Sequence, residues 1–167
     1  MPPLPPADRL GGLGQGGQVL DRQLNEFLGH RAAVLGIGNR LWGDDGAGSR
    51  LAAKLEDRDG RRVVDGGAVP ENHLRAVVES NPNAILLIDA ADFGGRPGEC
   101  RLLSAEELAG QQSLSTHAGS PRLLAEYLHQ RTGARVALLA IQPASNGQGD
   151  RLSPEVAQTV ARLAEAL

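Results

Sequence analysis

A chain of 167 residues with a net charge of −3 and 41% apolar content fits one domain with a proper core. Two Phe, one Trp and one Tyr leave Leu, Val, Ile and Ala to fill the interior, and without a basic block nucleic acid has little to hold. No run approaches the roughly eighteen apolar residues of a membrane span, no basic-then-apolar leader opens the chain, and the single cysteine excludes an internal disulfide, so a cytoplasmic domain without a membrane span is expected.

Met1 to Gln18 is rich in proline and glycine with almost nothing to bury, which predicts a disordered leader over 1–18 and one α/β domain over 19–167. Leu20, Leu24, Phe27 and Leu28 recur at helical spacing over Val19 to Leu28. Ala32 to Leu35 is then a short apolar run, expected as a buried strand, entering the glycine-rich stretch Gly36-Ile37-Gly38-Asn39-Arg40-Leu41-Trp42-Gly43-Asp44-Asp45-Gly46-Ala47-Gly48. A glycine turn between strand and helix ordinarily seats a phosphate on helix amides. Here the third glycine of the dinucleotide fingerprint is missing, with Leu41 in its place, and Asp44 and Asp45 stand where the anion would lie. Such acids suit a cation. A helix is expected from Ser49 to Glu56.

Arg61 to Asp65 predicts a second strand, with Asp65 in a flexible turn made by Gly66 and Gly67. Pro70 opens a helix whose buried stripe is Leu74, Val77 and Val78, with His73 exposed beside polar neighbours. Ala84 to Ile88 is the strongest strand, an unbroken apolar run suited to a central parallel position. It ends at Asp89. The carboxyl end of a central strand is where open α/β sheets place ligands, although a cap or loop hydrogen bond is the plainer role for a lone Asp. Glu99 to Leu103 is a weaker strand, expected at an edge and antiparallel, and Cys100 on it has no neighbouring base to make it a nucleophile.

Ser104 to Leu108 predicts a capped helical turn, and Gln111 to Gly119 a loop carrying His117. The helix from Pro121 to Arg131 is expected to turn Leu123, Leu124, Tyr127 and Leu128 inward and His129 outward. Val136 to Ile141 is the last strand. Ser153-Pro154-Glu155 starts a final helix with Val156, Val160, Leu163 and Leu167 as its stripe. This alternation argues a three-layer α/β/α sandwich on a mostly parallel five-stranded sheet with one antiparallel strand. If the first and third strands are neighbours at the topological switch, Asp45 and Asp89 meet in one crevice. Two carboxylates and an imidazole there would suit a divalent transition metal of borderline softness.

From about Arg31 onward the chain resembles the nickel-iron hydrogenase maturation endopeptidases. Gly36-x-Gly38-Asn39-x-Leu41-x-x-Asp44-Asp45-x-x-Gly48 matches that family's first motif, Asp65-Gly66-Gly67 its second, Ile88-Asp89-Ala90 its third and Thr116-His117 its fourth. The stretches Asp65 to Asn72 and Ile141-Gln142-Pro143 further resemble the branch serving formate-hydrogenlyase-type hydrogenases. The resemblance implies an aspartate-type or metal-dependent endopeptidase that removes a C-terminal peptide from the precursor of a NiFe-hydrogenase large subunit. It implies Asp45, Asp89 and His117 as metal ligands and catalytic residues, Asn39, Asp65, Gly66 and Gly67 as substrate-reading positions, and nickel that arrives already bound to the precursor. Whether the metal polarises the carbonyl or activates water, or one acid serves as general base, stays open in the sequence. A metal-binding chaperone or scaffold of the same fold and a nucleotide-binding α/β domain are the alternatives.

Overall fold

The computed structural model describes residues 15–58, 60–110, 120–145 and 147–167. The expected leader falls, up to residue 14, outside the described residues. The apolar runs form five strands: β1 (Ala32–Ile37), β2 (Arg61–Gly67), β3 (Ala84–Ala90), β4 (Cys100–Ser104) and β5 (Arg135–Ile141). They hydrogen-bond in the order β2-β1-β3-β5-β4, with all neighbours parallel except the edge pair β4 and β5. The helices are α1 (Gln15–Leu28), α2 (Ala47–Ala52), α3 (Leu74–Glu79), α4 (Ala105–Gly110), α5 (Pro121–Thr132) and α6 (Pro154–Ala166). This is the three-layer sandwich expected from the alternation.

Alternation along β3 assigns the two cores. Leu86, Ile88 and Ala90 join Leu24 and Leu28 of α1, Leu51 of α2 and Val160 and Leu163 of α6. Ile85 and Leu87 join Val77 of α3, Leu108 of α4 and Leu128 of α5. The α6 stripe lies inside as its spacing predicts, each such side chain contributing about 1.5–3 kcal/mol of burial. On α5 the stripe is narrower than the sequence suggested. Leu124 and Leu128 are buried, but Leu123 is 59% and Tyr127 45% exposed. Both lie off the strip that α5 presents to the sheet, an apolar identity that periodicity alone misassigns.

Several boundaries also shift. Helix α1 starts at Gln15, earlier than the Val19 expected from its apolar spacing. β3 continues through Asp89 to Ala90, so Asp89 is a strand residue and not a residue beyond its end. β2 likewise runs through Asp65 to Gly67, which places Asp65 in a paired strand and not in a loose turn. The helix expected over Ser49 to Glu56 is α2, which starts earlier at Ala47, ends at Ala52 and is led in by a 3₁₀ turn over Gly43–Gly46. Cys100 is buried, and burial pushes its thiol up to about 12, which agrees with its exclusion as a nucleophile.

Candidate active site

The order of β2-β1-β3 makes the gap beyond β1 and β3 the topological switch, where chain leaves in opposite directions and a crevice opens. Gly36 pairs with Ile88, so the residues after Gly36 run beside Asp89. At Gly38 the backbone takes φ 137°, and a Cβ there would stand 1.8 Å from the Asp45 carbonyl oxygen. Only glycine allows this fold-back. It brings the Asn39 amide to Asp45, whose Oδ2 accepts at 2.8 Å. The Asn39 side chain in turn accepts from the Leu41 amide at 3.0 Å, so this residue shapes the loop from within. The amide that would greet a phosphate is already taken by a carboxylate, which weighs against a nucleotide seat.

Asp45 is 3% and Asp89 1% exposed. Asp89 is fully enclosed and its Oδ1 has no hydrogen-bond partner. Burial above all, and then the charge of Asp45, raise its carboxyl well above the usual carboxylate range; the Ala90 amide pulls weakly the other way. A buried carboxyl with an orphaned oxygen beside a second acid is costly unless a proton or a cation fills the gap. The donor set, two carboxylates of which one has an unpartnered oxygen, fits a divalent cation. Among the described residues no three of His, Cys, Asp and Glu converge as a metal site. His117, the third ligand expected, lies in 111–119, outside the described residues. The alternation of β3 turns Asp89 toward the α3, α4 and α5 layer. Helix α5, capped by Ser120, precedes the parallel strand β5 and therefore begins at the same carboxyl edge of the sheet.

The other acids are structural. Asp44 turns away from the crevice: its Oδ1 accepts from the Ser153 amide at 2.7 Å, and its Oδ2 from the Ala144 amide at 2.8 Å, the Ser145 amide at 3.2 Å and the Ser153 hydroxyl at 2.9 Å. It ties the turn after β1 to the start of α6. Removing it leaves buried donors unpaired. Asp44→Ala should therefore destabilise the fold by roughly 2–4 kcal/mol, read as a lower urea midpoint at unchanged m-value. Affinity for a divalent cation at Asp45 and Asp89 should fall far less.

Asp65 is also engaged. Its Oδ1 accepts from Ser49 Oγ at 2.7 Å and from the Gly67 amide at 3.1 Å, while Oδ2 meets Arg40 at 2.5 Å. Arg40 also donates to Ser49 Oγ at 2.8 Å and to its carbonyl at 3.1 Å. Asp65 thus fixes one wall of the crevice, with Gly66 packed under it against Leu35 and Gly67 accepting from the Gly38 amide. Sequence reasoning passed over Arg40 and Ser49. On the opposite flank it noted Gln142 only as part of a motif. The Gln142 Oε1 accepts from the Phe93 and Gly95 amides and its Nε2 donates to Asp92, so it holds the β3–β4 loop. A buried glutamine at a strand end is a usable signal, whereas nothing in the spacing pairs Arg40 with Asp65.

A profile of the hydrogenase maturation proteases (HycI) matches residues 47–167. The chain belongs to this family. Its members cut peptide bonds, so it is a hydrolase of the peptidase class. It is 38% identical over 112 residues to the hydrogenase 3 maturation protease of Escherichia coli K12, covering 66% of this chain and 71% of that one. It is 31% identical over 142 residues to a putative hydrogenase maturation protease of Methanocaldococcus jannaschii, covering 80% and 92%. In fold it matches the crystal structure of a [NiFe] hydrogenase maturation protease from Thermococcus kodakarensis KOD1, with a TM-score of 0.74, 28% identity and coverage of 88% and 94%. The profile begins at Ala47, so Asp45 rests on the geometry of the crevice. Among the described residues no helix is long and apolar enough to cross a membrane.

Proposed function

We propose that this maturation protease removes a C-terminal peptide from the nickel-loaded precursor of a NiFe-hydrogenase large subunit, in the cytoplasm, and that Asp45, Asp89 and His117 grip the nickel the precursor brings. The observation that carries this is the unpartnered oxygen of buried Asp89 beside Asp45 at the switch point, in a chain of this family. The nickel supplies Lewis acidity toward the scissile carbonyl. Asp45 holds its charge toward the site from a turn locked by the Asn39 amide. Asp89 is suited to take a proton from attacking water and return it to the leaving amine, because a cation bound beside it ionises the carboxyl that its enclosure otherwise keeps protonated. The water oxygen joins the carbonyl carbon as the carbon–nitrogen bond breaks.

Both described acids are held firmly, Asp45 by its turn and Asp89 by β3 pairing. Weak intrinsic metal affinity then follows from the number and hardness of the ligands, since a resident catalytic zinc commonly has three protein ligands, often histidines. Protein purified without chelator is expected to be largely metal-free by elemental analysis, to cut the nickel-loaded precursor and to leave a nickel-free one intact. His117→Ala should abolish cutting with an unchanged melting curve. Tightly held stoichiometric metal together with cleavage of the nickel-free precursor would overturn the proposal, and metal binding without any cleavage would favour a chaperone.

A further inference from the structure

Behind the crevice wall lies a second cavity of about 480 Å³, between α2, the segment around 150–152 and α6. Four cations line it, Arg40, Arg50, Lys54 and Arg151, against one acid, Asp150. That balance runs against a chain whose net charge is −3. Its floor is apolar, with Leu152, Ala157 and Val160.

The cations are not consumed by the fold. Only Arg40 is ion-paired, through Asp65; Arg50, Lys54 and Arg151 form no salt bridge among the described residues. Arg50 is anchored by backbone carbonyls, donating to Arg40 at 3.2 Å and to Asp150 at 2.5 Å, and its Nε is buried without a partner. With Nη2 spent on these two carbonyls and Nε buried, Nη1 is the edge of Arg50 left for an incoming carboxylate, on a guanidinium already fixed at little further entropic cost. Three cations without a salt bridge, against the one acid Asp150, leave the cavity a positive field that an entering anion would relieve. The volume is in the range of small-ligand and peptide side-chain sites.

We propose that this cavity binds a carboxylate of the precursor polypeptide, as a subsite of the protease; the inference rests on the function proposed above. The connection is physical. Arg50 holds the Arg40 carbonyl, Arg40 holds Asp65, and the residue before Arg40 supplies the amide that fixes Asp45. A segment seated by its carboxylate in the cavity is therefore registered against the crevice through two consecutive residues of one loop. The apolar floor accommodates the methylenes or neighbouring side chain of the acid, which a free phosphate would leave uncovered. The acid is either a side chain of the precursor or its terminal carboxylate, and the same donors serve both.

The test is the charge reversal Lys54→Glu with Arg151→Glu, two exposed residues outside the catalytic crevice. For cleavage of the nickel-loaded precursor, KM is expected to rise at least tenfold with kcat and melting temperature unchanged. The salt dependence of kcat/KM should flatten. Precursors with Asp and Glu of the cleaved extension changed to Asn and Gln, or with an amidated terminus, assign the source: whichever change raises the wild-type KM identifies the acid. A second measurement is independent of cleavage. An acetylated, amidated triglutamate peptide titrated into the full chain by NMR should shift the Lys54 and Ala157 amides, and should not do so in the double variant. If the wild-type chain fails to cut any precursor, the function above falls while this titration still decides the cavity. An unchanged KM in the double variant, absence of peptide-induced shifts, or binding of inorganic phosphate or RNA without any effect on precursor KM would each overturn the proposal.

Discussion

Asp89→Asn is expected to make the protein more stable at neutral pH while removing its proteolytic activity. The two effects have one cause. The Asp89 carboxyl is enclosed beside Asp45, one oxygen has no partner, and its proton is held far more tightly than in the unfolded chain. Above the ordinary value of 3.8 the unfolded chain releases this proton and the folded chain keeps it. The unfolded state then binds fewer protons, so stability falls as pH rises, by about 1.4 kcal/mol per unit until the folded carboxyl itself ionises. Below 3.8 the cost vanishes. The amide of Asn has nearly the same volume and no titration. The variant should therefore gain stability over the wild type as pH rises above about 4, by almost nothing at pH 4 and by progressively more toward neutrality. Urea midpoints at several pH values measure this. An advantage that stays constant with pH would mean that Asp89 does not titrate differently on folding.

Processing by the same variant should fall at least about 100-fold, because both a metal ligand and a proton acceptor are lost. A structural carboxylate would behave in the opposite way. Asp44 makes the contrast internally, since its oxygens are filled by three amides and a hydroxyl and its removal should cost stability. Two adjacent acids of one turn are thus expected to divide into a stabilising and a functional one, and Asp89 joins the latter.

The layers and sheet order were legible because they depend on burial over many residues. The continuous apolar runs at 84–88 and 136–141 have no polar face to spend on solvent, so central strands follow. Asp89 stood out for the same reason, as a charge closing such a run. Asp45 was assigned to the crevice from the sequence, but what claims Asp44 was not legible there. Neighbours in a 3₁₀ turn point in different directions, and the partners that claim Asp44, at 144, 145 and 153, are about a hundred residues away. The tying of Asp65 by Arg40 and Ser49 was hidden likewise. A glycine pair after an acid suggests looseness, yet here Gly66 lets β2 approach β1 closely and Gly67 supplies a φ of +57°, while the carboxylate is clamped. The exposed Leu123 and Tyr127 show the limit of periodicity: a helix of twelve residues buries only the strip its neighbours cover.

Gly48→Ala is expected to be among the most damaging single methyl additions in the chain. A Cβ at Gly48 would stand 2.0 Å from the Ile88 carbonyl oxygen, 2.5 Å from that of Ile37 and 2.7 Å from the Ile88 carbonyl carbon. All three are backbone atoms of β3 and β1 that cannot swing aside, and Gly36 is equally closed against Gly48 and Ala52. Helix α2 must back away from the sheet, breaking the contact that lets the Asp45 turn overlie the end of β3. Overpacking of this kind costs about 3 kcal/mol or more, which for a chain of this size lowers the melting temperature by roughly 6–12 °C. Gly29→Ala is the proper comparison. Its φ is +57°, but nothing lies within 4 Å of the added methyl, so only the conformational strain of about 1–2 kcal/mol is felt. Because α2 follows the Asp45 turn directly, Gly48→Ala should also lower divalent-cation affinity in the surviving folded fraction, whereas Gly29→Ala should not. Equal destabilisation by the two variants would show that backbone freedom, and not the close approach of α2 to the sheet, is what Gly48 provides.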